Sequence, residues 1–94
     1  MKIPRKIRVD GEYWTIEKHT NGMDSSFLGR TFRHEHLITL NKDAKGIEST
    51  LLHEIVHAID MNRNLELTEQ QVSSLSSGLY AVIVDNNLDF RRGK

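Results

Sequence analysis

His53, Glu54 and His57 stand in the run Thr50-Leu-Leu-His-Glu-Ile-Val-His-Ala-Ile-Asp60, at the spacing His-Glu-x-x-His. On an α-helix, residues four apart lie about one turn from each other on one face. Two imidazoles so placed can close on a single metal ion, with the intervening Glu beside it. A metal held in this way makes water acidic enough to ionise near neutral pH and polarises a carbonyl, and a neighbouring carboxylate can take the proton. The chemistry expected is hydrolysis of a peptide bond, with His53 and His57 as ligands and Glu54 as the general base.

A catalytic zinc commonly has three protein ligands and one open position, so a third donor is required. Asp60 shares the face of the two histidines but lies roughly 10 Å along the helix axis from His53, too far for one ion on a straight helix. It is better suited to touching His57 or closing the helix end. Glu69 is the stronger candidate, because it opens a second helix after a break that lets the chain turn back. Glu66 is its rival. Two imidazoles and one carboxylate suit zinc best. His34 and His36 are expected in an exposed turn, His19 in a loop, and Tyr80 in packing rather than in the chemistry.

The elements that must position these residues follow from pattern. Ile3 to Val9 and Tyr13 to Glu17 flank Asp10-Gly11, a strong hairpin signal because both turn positions tolerate positive φ. Pro4 places the first strand at an edge or starts it later. Thr20 to Ser26 is rich in turn formers and reads as a loop. Phe27 to Phe32 and Leu37 to Leu40 read as a second hairpin about Arg33–His36, with Leu37 to Asn41 as an edge strand able to hold an extended peptide. The first helix is expected from a Ser49 or Thr50 cap to about Asn62. Thr68 with Gln71 forms a capping box for the second, which runs towards Asn86. Val72, Leu75, Leu79, Val82 and Ile83 give that helix an apolar face to lay on the sheet or the first helix, and its run of Ser and Gly suggests close approach to another element. The fold class predicted is α+β: a small antiparallel sheet of three to four strands packed against the His-Glu-x-x-His helix and a C-terminal helix.

Composition bounds the rest. Ninety-four residues at 37% hydrophobic make a single domain, 1–94. Cysteine is absent, which excludes disulfides and thiolate metal sites and makes the cytoplasm the default location. Thirteen Lys and Arg balance thirteen Asp and Glu, so nucleic acid is not an expected partner. No apolar run suggests a membrane span.

The segment Thr50 to Asn87 resembles small phage- and prophage-encoded zincin-like metallopeptidases related to the ImmA/IrrE group. The resemblance implies a gluzincin-type zinc site with His53 and His57 as ligands, Glu54 as acid/base and Glu69 as third ligand. Val72 and Ser73 depart from the pattern of that second helix, where Ala and Asn are usual. Members often cleave regulatory proteins, so a protein or peptide is the expected substrate. The competing expectation is a catalytically inactive, metal-stabilised protein that binds a regulatory partner.

Overall fold

The computed structural model describes residues 3–19 and 28–91, and the expected loop at Thr20 to Ser26 lies outside them. The order of elements is β1 (Lys6–Val9), β2 (Glu12–His19), β3 (Gly29–Phe32), β4 (Leu37–Asn41), α1 (Ile47–Arg63) and α2 (Glu69–Asp85). The architecture is the α+β arrangement expected from pattern.

The first hairpin turns on Asp10 and Gly11, with φ of 51° and 84°, the left-handed pair that Asp-Gly accepts readily. β1 begins two residues after Pro4 and lies at the sheet edge. β3 and β4 form the second hairpin, Phe32 opposite Leu37 and Gly29 opposite Leu40. The expectation of an antiparallel sheet is corrected at one junction: β2 and β4 are parallel, Ile16 opposite Ile38, in the order β1-β2-β4-β3. The cause is burial. Ile38 and Leu40 are fully buried and Thr39 nearly so, and a strand covered on both faces takes an interior place in the sheet. Among the described residues the outer strands are β1 and β3, so the outer strand beside Glu54 that a peptide could join is β3, not Leu37 to Asn41.

α1 lies across the sheet, and Leu51, Ile55, Ala58 and Ile59 join Trp14, Ile16, Ile38 and Leu40 in the core. It starts at Ile47 rather than at a Ser49 or Thr50 cap. Gly46 at φ 70° forms the N-cap without a side-chain hydrogen bond, and Ile47 packs against the core, so apolar burial outweighs a hydroxyl cap. Asn64 at φ 51° ends α1. Asp60 then serves the turn, its main-chain oxygen accepting from Leu65 N–H and its carboxylate from Leu67 N–H.

The capping box at α2 is complete: Gln71 N–H donates to Thr68 Oγ1 at 3.1 Å, and Thr68 N–H donates to Gln71 Oε1 at 2.8 Å. α2 packs on α1 and makes no comparable contact with the sheet. Its buried residues are Val72 and Ser76. The apolar face expected to be covered is only partly so, since Leu75, Leu79 and Val82 are about half exposed.

One contact sets the distance between α1 and β3. A Cβ on Gly29 would stand 3.0 Å from Thr50 Cγ2, 3.1 Å from Glu54 Cγ and 3.1 Å from the Thr39 carbonyl oxygen. Glycine inside a strand here permits close approach of the helix. Gly29→Ala should cost about 1–3 kcal/mol in urea unfolding through overpacking; a wild-type midpoint would show that the helix can withdraw freely.

An ion pair ties the first turn to the end of α1, with Arg63 Nη2 2.6 Å from Asp10 Oδ1. Hydrogen bonding and charge from Arg63 hold the Asp10 carboxyl below its ordinary value. A depressed carboxylate adds stability above its unfolded-state pKa and loses it as pH falls through the folded-state value. Wild type should therefore exceed Arg63→Ala slightly in thermal stability at neutral pH, and the two should converge in acid. A difference that persists below the carboxylate range would assign the effect to packing.

Candidate metal centre

α1 carries His53 and His57 on the side that meets α2, and Glu54 on the side that meets β3. The turn from Asn64 to Thr68 brings α2 back so that its first residue, Glu69, faces both imidazoles. His53 Nε2 lies 2.7 Å from Glu69 Oε1, and His57 Nε2 lies 3.0 Å from Glu69 Oε2. The three ligand atoms fall within 4.8 Å of one another. The histidine side chains are 22% and 21% exposed and that of Glu69 68%, so the cluster sits at the mouth of a cleft rather than in the core.

Two imidazole lone pairs facing one carboxylate repel unless a proton or a cation lies between them. The set of two neutral nitrogens and one carboxylate suits a first-row transition ion, and these residues could hold one. Glu66 takes no part: it is exposed at φ 59° in the connection and is not in the group. Asp60 is engaged with the turn instead.

Ser76, one of the two buried residues of α2, supports the centre from behind. Its Oγ lies 3.5 Å from His53 Nδ1 and 3.3 Å from the Ser73 carbonyl. A hydroxyl that gives its own proton to that carbonyl can accept from Nδ1–H, the tautomer that would free Nε2 for a metal. The small residues of α2 do mark a close approach at Ser76. Gly78 faces open space and takes no part in it.

Glu54 is 5% exposed, beneath β3. Its Oε1 accepts from the Thr31 hydroxyl at 2.8 Å. Clefts open to either side of it, one of about 300 Å³ bordered by Gly29, His53, Glu54 and Ser76, the other of about 430 Å³ bordered by Gly29, Thr31, Glu54, His57 and Glu69. They share Gly29 and Glu54, so the groove follows β3 past His53, His57 and Glu69.

The remaining candidates lie elsewhere. His36 stacks on Trp14 at 4.8 Å with rings 6° from parallel, while His34 is exposed; neither joins a metal-capable group among the described residues. His19 ends β2 rather than lying in a loop, 3.2 Å from Glu17. Tyr80 is half-buried on α2 and borders neither cleft. Thr31, Gly29 and Ser76 are the site residues that sequence reasoning missed. A glycine within a strand pattern signals close approach, but nothing local marks Thr31.

The cap that starts α2 also places Glu69. Thr68→Ala should lower stability by about 1 kcal/mol and weaken divalent-ion binding in titration calorimetry, with Glu69→Ala weakening it further. Unchanged affinity in Glu69→Ala would remove Glu69 from the ligand set. Comparison of this chain with known protein families, curated proteins and solved structures finds no match.

Proposed function

We propose that this chain is a zinc-dependent peptidase-like domain, with His53, His57 and Glu69 as the metal ligands and Glu54 as the general base. The observation that carries the reading is the convergence of the Glu69 carboxylate on both histidines of a His-Glu-x-x-His helix. The donors fit zinc by type, two imidazole nitrogens and one carboxylate, and their ligand atoms already lie within 4.8 Å of one another, against roughly 3.3 Å between ligand atoms in a tetrahedral site.

When bound, zinc acidifies water and polarises the peptide carbonyl. The chain's residues do the rest. Glu54 accepts a proton at its carboxylate and returns it to the leaving amine. β3, at the open sheet edge beside the groove, suits an extended peptide added as a further strand, which would bring a scissile bond past Glu54 without a deep pocket. The resemblance of Thr50 to Asn87 to ImmA/IrrE-related peptidases points the same way and makes a regulatory protein the natural substrate class. Absence of cysteine suits a reducing, cytoplasmic setting. No described helix is long and apolar enough to cross a membrane.

A second reading has its own observation. Leu75, Leu79 and Val82 recur on α2 at helical spacing and are about half exposed, which suits a metal-stabilised protein that binds a partner. Glu54→Gln separates the two. In the peptidase it should retain one zinc per chain by elemental analysis and lose cleavage of a peptide library that wild type cuts. A zinc-loaded wild type that cuts nothing would leave the binding protein as the function.

A further inference from the structure

We infer that Thr31 is a positioning residue, whose hydroxyl holds the Glu54 carboxylate against β3 and ties the placement of the base to the strand along which a peptide would lie. The inference rests on the peptidase reading and adds to it a link between substrate seating and the base.

Thr31 Oγ1 is 2.8 Å from Glu54 Oε1 and 3.1 Å from the main-chain oxygen of the same residue. A hydroxyl has one proton to give, so these are two alternative acceptors. Donated to the carboxylate, the proton holds Glu54 against the strand. Donated to the carbonyl, it leaves the carboxylate able to turn while the hydroxyl stays satisfied. Val would serve the strand equally well by β-propensity, so strand formation alone gives no reason for a hydroxyl here. A buried carboxylate without a donor is costly, and the Thr31 hydroxyl supplies one.

The main chain at this position faces the other way. Leu28 O accepts from Asn41 N–H at 2.8 Å, and antiparallel pairing alternates every residue. The main-chain groups of Arg30 and Phe32 therefore also turn to β4, and those of Gly29 and Thr31 turn away from it, to an edge that no described strand pairs with. A peptide added to that edge would bond to the residues that contact Glu54: Thr31 through its hydroxyl, and Gly29 through its close approach to Glu54 Cγ. Seating a substrate would thus fix the strand that orients the base.

The test compares Thr31→Val and Thr31→Ser in the zinc-loaded full chain. Thr31→Val should lower kcat by about 10- to 100-fold through misplacement of the base, with KM and zinc affinity near wild type. Thr31→Ser should recover most of that loss. In the zinc-free protein, Thr31→Val should lower the urea midpoint when Glu54 is present, and should leave it unchanged or raise it in a Glu54→Leu background. A residue that only fills the strand would lower both. A Thr31→Val enzyme with wild-type kcat, a Thr31→Ser enzyme as impaired as Thr31→Val, or additive midpoints would overturn the proposal and leave the peptidase reading intact. A zinc-loaded wild type that cleaves no peptide would overturn both.

Discussion

The Glu69 carboxylate meets the Nε2 atoms of His53 and His57 at 2.7 and 3.0 Å, and that meeting depends on the turn between Arg63 and Thr68. Asn64 leaves α1 in the left-handed region, Asp60 gathers the N–H groups of Leu65 and Leu67, and the Thr68–Gln71 box starts α2 with Glu69 as its first residue. Each step is local. Together they set the start of α2 against the His53/His57 face, where Ser76 Oγ lies 3.5 Å from His53 Nδ1. A carboxylate at a helix N-terminus is also favoured by the helix dipole, so the position of Glu69 is stabilised before any ion is considered.

On its opposite side α1 is constrained by β3. The missing side chain at Gly29 lets the helix come close, and Glu54 is covered by the strand as a result. Two neighbouring residues of one helical turn thus receive different surroundings. His53 opens to the cleft and to Glu69, and Glu54 is buried and hydrogen-bonded to Thr31. The central helix faces His53 and His57 to α2 and Glu54 to β3.

Local signals made much of this legible in the sequence. Asp10-Gly11, the capping box at Thr68 and the spacing of His53, Glu54 and His57 each depend on a few adjacent residues, and each element appears where those residues place it. Sheet order was not legible, because the parallel pairing of β2 with β4 follows from competition among strands for the interior, which Ile38 and Leu40 win. For the same reason β3, not β4, is the outer strand of the second hairpin among the described residues. The early start of α1 at Ile47 reflects tertiary burial rather than capping. Thr31 lies 23 residues from Glu54, and no short-range pattern announces a contact of that kind.

The central claim is that one metal ion is held jointly by α1 and α2. A crystal structure of the zinc-loaded protein, with data collected at the zinc absorption edge, tests it most directly. The account predicts a single anomalous peak enclosed by His53 Nε2, His57 Nε2 and the Glu69 carboxylate. A peak on other residues, or one on the histidines with Glu69 turned away, would contradict it.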